Sequence, residues 1–177
     1  MRATKRIFLI WLLALAIGFP LLAVTGIRIN LTDSLPLVFY RMTPGEVERG
    51  SLVVACPDLT NPVVQVARER GYIPTGWLTC DGGVAPLMKY VMALPGDLVE
   101  VVQEGVRVNG QAIENSARLV ADSVGRPLPS LTVSGEVPSE HVWLLSDYTS
   151  ASFDSRYFGP VKTSDIIGTE TPLLVPQ

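Results

Sequence analysis

The spacing of apolar residues changes once along this chain, and the change divides it in two. Residues 7–24 form a stretch of 18 positions without a charged side chain. As a helix rising about 1.5 Å per residue, such a stretch spans roughly 27 Å, close to the hydrocarbon core of a bilayer. Beyond Val24 the apolar residues come in short runs, continuous or alternating, bounded by Gly, Pro, Asn and Asp. On that basis 51–55, 89–93, 98–102, 106–109, 142–145 and 166–167 read as strands. A helical period competes at 61–70, where Pro62 suits a first turn and Gly71 a stop. Val108-Asn109-Gly110 is a hairpin signal, because a tight two-residue turn needs positive φ at both central positions. The 15 glycines and 14 prolines fall mostly between these runs, which predicts a mainly β, antiparallel domain with tight connections. Two stretches look inserted into it, 57–86 and 116–138.

Charge assigns a direction to the apolar stretch. Arg2, Lys5 and Arg6 precede it, so the reading is a cytoplasmic tail (1–6), one transmembrane helix (7–24) and an exported domain (25–177), which in a bacterium faces the periplasm. The competing reading is a cleaved export signal, although Ala23-Val24-Thr25-Gly26 makes a poor cleavage site. Without those three residues the 14 basic side chains fall to 11 against 17 acidic ones, a net of −6. That balance removes nucleic acid from the expected partners. With 47% apolar and 18% charged residues in 177, the chain has material for one core and no more than one domain plus an appendage.

Export makes the two cysteines informative. Cys56 and Cys80 can form a disulfide in an oxidising compartment, or remain two unrelated buried thiols. With a single histidine, His141, and no close ligand spacing, they fall short of a metal set.

Three short clusters stand out against this background. Asn30, Thr32, Ser34, Pro36 and Tyr40 occupy alternate or near-alternate positions soon after the apolar stretch. Ser34 is ten residues past Val24, so even an extended connection keeps it within roughly 35 Å of the membrane face. The second cluster runs from Lys89 to Asp97, and the third is Ser146-Asp147 followed by Ser152, Asp154, Ser155, Arg156, Tyr157, Phe158 and Gly159. Taken singly, each has a plain structural reading. Ser34 before a proline suits a turn, Lys89 suits a strand edge where a charge discourages aggregation, and Thr32 suits a strand. Pro95-Gly96-Asp97 reads as an ordinary turn.

Together the clusters resemble the type I signal peptidase family, serine endopeptidases that use a Ser/Lys dyad. The alternating Asn30-x-Thr32-x-Ser34-x-Pro36 is most similar to the conjugative-transfer branch of the TraF type. Leu35, an early Pro36, Val38 and Ala93 depart from one or other branch's pattern, which bears on pocket shape more than on chemistry. The resemblance implies an antiparallel signal-peptidase or LexA-like β fold. It also implies Ser34 as nucleophile and Lys89 as general base. A serine hydroxyl needs such a base, and a lysine with a pKa near 10.4 serves only if its amine is neutral. Bringing that amine toward neutral pH costs roughly 3–4 kcal/mol, which desolvation can impose. Strand alternation aims Lys89 and Val91 at one face.

The same resemblance makes Ser152 a partner of the lysine amine and Asp154 with Arg156 a supporting pair. Asp154 also has a claim to a more direct part. For the oxyanion it implies the Ser34 backbone N–H and the Thr32 hydroxyl, which would lie on one side if the segment is extended. The implied substrate is a pilin precursor of a conjugation apparatus, with cyclisation by the precursor's own amino terminus as a possible outcome. The implied partners are that precursor, the inner membrane and conjugation components, and neither a metal nor any other cofactor is implied.

Three rivals share parts of this pattern. A general leader peptidase keeps the dyad and processes many preproteins. A self-cleaving regulator of the same fold lacks an anchor. An anchored assembly protein without activity keeps the β domain and is indifferent to Ser34 and Lys89. A Ser/His/Asp triad through His141 has no nucleophile-elbow sequence to support it.

Overall fold

The computed structural model describes residues 6–7, 11, 26–30, 32, 34–75 and 80–173. Among them no helix is long and apolar enough to cross a membrane. The anchor expected at 7–24 lies outside the described residues apart from Ile7 and Trp11.

Two antiparallel sheets carry the fold. The larger contains β1 (Ile27–Ile29), β2 (Phe39–Thr43), β3 (Leu52–Ala55), β4 (Leu87–Ala93), β9 (His141–Leu145), β10 (Val161–Lys162) and β11 (Ile166–Pro172). Its strands lie in the order β1-β2-β11-β3-β4-β9-β10. The smaller sheet contains β5 (Leu98–Val102), β6 (Gly105–Val108), β7 (Gln111–Ala112) and β8 (Val133–Glu136), in the order β7-β6-β5-β8.

Alternation explains which faces meet. In β4, Lys89, Val91 and Ala93 point inward and are buried, as a period of two requires. Ala93, Trp143 and Leu145 pack against Val99, Val101, Val106 and Val108 of the smaller sheet. Val53, Ala55, Val91, Val142 and Leu144 form a second apolar cluster within the larger one. The Asn109-Gly110 turn has φ of 51° and 81° and joins β6 to β7 with Val108 opposite Gln111, the mirror-image turn that suits strand twist.

The expected helix is α1 (Pro62–Glu69). Asn61 caps it by accepting from the Val63 N–H, and Gly71 follows with φ of 77°. Val64 and Ala67 are its buried side. They pack with Ile73, Cys80 and Val84, so α1 closes over the loop between β3 and β4. Cys56 and Cys80 are bonded across that loop with Cα atoms 5.5 Å apart. A second helical turn, α2 (Ser155–Phe158), follows β9 and is capped by the Asp154 carboxylate.

Both stretches read as insertions carry structural parts. The first holds α1, and the second ends in β8, which pairs with β5. They meet where the Tyr72 hydroxyl donates to Asp122, whose carboxylate also accepts from Arg126 and from the Val124 N–H.

The disulfide closes a loop of 24 residues in sequence separation. Replacing both cysteines by alanine is expected to lower stability by about 3 kcal/mol, mainly through a freer unfolded chain. Thermal unfolding followed by circular dichroism, with the wild type under oxidising and reducing conditions as reference, measures it.

Candidate active site

Ser34 lies in the connection between β1 and β2. That connection is not an extended strand but a compact turn held by side chains. Asn30 Nδ2 donates to the carbonyls of Thr32 at 2.8 Å and Leu35 at 2.7 Å. Its Oδ1 accepts the Thr32 N–H and hydroxyl. The Tyr40 hydroxyl donates to the Pro36 carbonyl at 3.0 Å. Leu35 is buried with Val38, Tyr40 and Leu52, which leaves Ser34 half-buried at the edge of a cleft. Asparagine and tyrosine here satisfy backbone groups that an irregular segment leaves without a ladder.

Lys89 comes from the centre of the sheet. Its cross-strand partner in β3 is Val53, itself buried. The lysine is 4% exposed, with Nζ donating to the Met88 carbonyl at 3.1 Å. Burial is the largest influence on the amine and pushes its pKa from 10.5 down to about 8; Asp154 opposes the fall and Arg156 assists it. The blander role of a strand-edge charge does not suit a buried side chain on a central strand.

Asp154 and Arg156 form an ion pair with neither side chain exposed. The pair is bidentate: Arg156 Nε donates to Oδ1 at 2.7 Å and Nη2 to Oδ2 at 2.9 Å. The guanidinium also donates to the carbonyls of Ser146 at 2.7 Å and Asn115 at 2.9 Å. A planar fork with five donors suits this multiple attachment, which a lysine would not reproduce.

Ser152 is placed differently from the expectation. Its hydroxyl donates to Ser34 Oγ at 3.3 Å, and the lysine amine donates to the Met88 carbonyl. Thr32 is exposed and its hydroxyl donates to Asn30 Oδ1, so its place is set by the Asn30 side chain and not by strand alternation. Thr32, Ser34, Lys89 and Ser152 nonetheless line one cleft of about 910 Å³, with Tyr72, Leu119, Asp122 and Phe153 among its other walls. Asp154 and Arg156 lie behind it. His141 is remote from this group and has its Nδ1 against the Ser139 carbonyl.

Three residues at the site have no role in the sequence reading: Asn30, Tyr40 and Ser146 stand there only as members of clusters. The signal for each is polar character in a segment that the fold buries, which becomes legible only once the partners are known.

Comparisons with known proteins identify the family. The family described as "Signal peptidase, peptidase S26" matches residues 1–174. The chain is 41% identical over 150 residues to a plasmid transfer protein TraF of Escherichia coli, covering 84% of this chain and 83% of that protein. It is also 41% identical over 153 residues to a probable conjugal transfer protein TraF of Sinorhizobium fredii, covering 84% and 77% respectively. Signal peptidase I V of Bacillus subtilis matches less, at 30% over 90 residues, 46% of this chain and 54% of that protein. A crystal structure of a signal peptidase I from Enterococcus faecalis aligns with a TM-score of 0.40 and 17% identity, over 72% of this chain and 98% of that one.

A buried lysine with a lowered pKa has a stability consequence of definite sign. Between pH 8 and 10.5 the unfolded chain binds more protons at this position than the folded one, so stability rises with pH through that window. Below it the folded state carries a penalty of about 3 kcal/mol. Lys89→Met is therefore expected to unfold at a higher temperature than the wild type at pH 7. The advantage should shrink as pH rises from 8 to 10.5, which parallel thermal melts across that range measure.

Proposed function

The chain belongs to the peptidase S26 family of signal peptidases, and from that premise we propose that it is a serine endopeptidase in which Ser34 is the nucleophile and Lys89 the general base. The observation that carries this reading is a lysine at 4% exposure, made less basic by burial, in the cleft that also holds Ser34. A pKa of about 8 leaves about one amine in ten neutral at pH 7, enough to take a proton in the transition state and return it to the leaving amine.

In this mechanism Nζ leaves the Met88 carbonyl and turns to the Ser34 hydroxyl. Ser152, donating to Ser34 Oγ, leaves the nucleophile's own proton free for the base. Attack forms the Ser34 ester through a tetrahedral oxyanion, with the Ser34 backbone N–H as its donor. Thr32 adds a second donor when its hydroxyl turns from Asn30, and each well-placed donor is worth about 3 kcal/mol. Breakdown of the intermediate releases the new amino terminus protonated by Lys89, and water or an amine then resolves the ester.

The substrate reading is a pilin precursor of a conjugation apparatus, cleaved on the periplasmic side by a domain anchored through residues 7–24. It is supported by the alternating Asn30–Pro36 pattern and by relatives named as plasmid and conjugal transfer proteins. Resolution of the ester by the precursor's own amino terminus gives a cyclic product. A general leader peptidase has less support, because the named signal peptidases match under half of the chain.

Co-expression of a pilin precursor with the wild type, Ser34→Ala or Lys89→Ala, followed by intact-mass spectrometry, tests this. The wild type is expected to shorten the precursor and both variants to leave it whole. A further loss of one water from the product marks ring closure. Processing by Ser34→Ala overturns the mechanism. In purified enzyme the acylation rate should rise with pH to a midpoint near 8 and fall about tenfold per unit below it, since protonation removes the base.

A further inference from the structure

Three successive carbonyls of the nucleophile turn each receive a side-chain donor. Leu35 is held by Asn30 and Pro36 by Tyr40, both from the same segment of chain. Ser34 is held from elsewhere: the Ser146 hydroxyl donates to its carbonyl at 2.5 Å. Ser146 directly follows β9, the strand paired with β4, and β4 carries Lys89. The turn with the nucleophile is thus tied to the part of the sheet that supplies the base.

Ser146 is itself fixed at every polar atom and fully buried. Its N–H donates to Asp154 Oδ2 at 3.1 Å and its carbonyl accepts from Arg156 Nη2 at 2.7 Å. The Tyr148 N–H donates to its hydroxyl oxygen at 3.2 Å, which leaves the hydroxyl proton directed at Ser34. A rigid donor that begins at a buried ion pair and ends on the nucleophile's own peptide is more than a way of satisfying one buried hydroxyl. The other polar tie from the 146–156 region to Ser34, through Ser152, is longer at 3.3 Å.

We infer that Ser146 is a positioning residue: its hydroxyl passes the placement of the Asp154–Arg156 pair to the Ser34 peptide and so sets the nucleophile's height above Lys89. The inference rests on Ser34 being the nucleophile. Loss of the hydroxyl leaves the base, the cleft and the ion pair in place, and frees the Ser34 backbone to turn. Small displacements of a reacting atom cost up to about a hundredfold in rate. The expected signature is a lower kcat with little change in KM, and an unchanged pH midpoint because Lys89 keeps its surroundings.

The test uses the full chain in detergent micelles and a quenched-fluorescence peptide spanning the junction that the wild type cuts in the precursor. Ser155→Ala is the control, since Ser155 is equally buried and its hydroxyl accepts only the Leu144 N–H at 3.0 Å. Ser146→Ala is expected to lower kcat by about ten- to a hundredfold, with KM within about twofold and the pH midpoint retained. Ser155→Ala, at a similar loss of melting temperature, keeps kcat. Equal kcat values for the two variants overturn the inference, as does a change confined to KM. Should Ser146→Ala be insoluble, Ser146→Gly removes the same hydroxyl and is read in the same way. Failure of the function itself looks different: the wild type then cuts nothing, or cuts without Ser34.

Discussion

The site depends on one buried ion pair. Asp154 and Arg156 are fully removed from solvent, and transferring two such charges from water is expensive unless their geometry and remaining bonds are satisfied. Here they are. The carboxylate accepts two guanidinium bonds and the backbone N–H groups of Arg156 and Ser146. The guanidinium's remaining donors go to backbone carbonyls. Such a pair adds little net stability compared with apolar residues of equal volume, and its worth lies in the directions it imposes. It also determines what Lys89 feels. Desolvation is the largest influence on the lysine, and of the pair Asp154 raises its pKa while Arg156 lowers it, so the two charges oppose each other at the amine. The pair can therefore stand next to Lys89 without cancelling the fall in its pKa, which is what the proposed base requires.

Ser34, the proposed nucleophile, presents the converse problem. A turn exposing one hydroxyl to a cleft cannot use strand ladders, so its carbonyls need donors from side chains. Asn30, Tyr40 and Ser146 supply them. Ser146 lies more than a hundred positions from the other two and is brought to them by the order of strands in the larger sheet, where β9 lies beside β4 and β2 lies two strands beyond β3. Sheet topology is in this sense part of the chemistry: it determines which loops share an edge.

Much of this was legible from residue patterns, and the exceptions have physical causes. The alternation of β4, the capped helix at α1 and the Asn109-Gly110 hairpin follow from local rules that tertiary packing did not override. β11 was foreseen only at Ile166 and Ile167, because the rest of it, Gly168-Thr169-Glu170-Thr171-Pro172, carries no apolar run; it becomes a strand by pairing with both β2 and β3. β2 and β8 were missed for a similar reason, since each gains its conformation from a partner distant in sequence. At the site, a buried lysine could be argued from its apolar neighbours in β4, but Val53 across the strand could not. The Ser152 hydroxyl contact with Ser34 is likewise a matter of tertiary placement that no local pattern specifies.

The walls of the cleft follow from the same economy of contacts. Tyr72 from the first inserted stretch reaches Asp122 in the second, and the Tyr157 hydroxyl accepts the Leu119 N–H. Phe153 stands between these attachments, stacked on Tyr157 with centroids 5.4 Å apart and tilted against Tyr72 at 5.6 Å. It is also the residue between Ser152 and Asp154. The aromatic row consequently fastens both inserted stretches to the loop that carries Ser152, Asp154 and Arg156 beside the proposed dyad. Apolar walls keep Lys89 out of water and offer a dry surface to an extended substrate, so a single property of the cleft serves both the base and binding. A change that loosened the row would act on both together, because the surface that a substrate meets is attached to the loop that positions the chemistry.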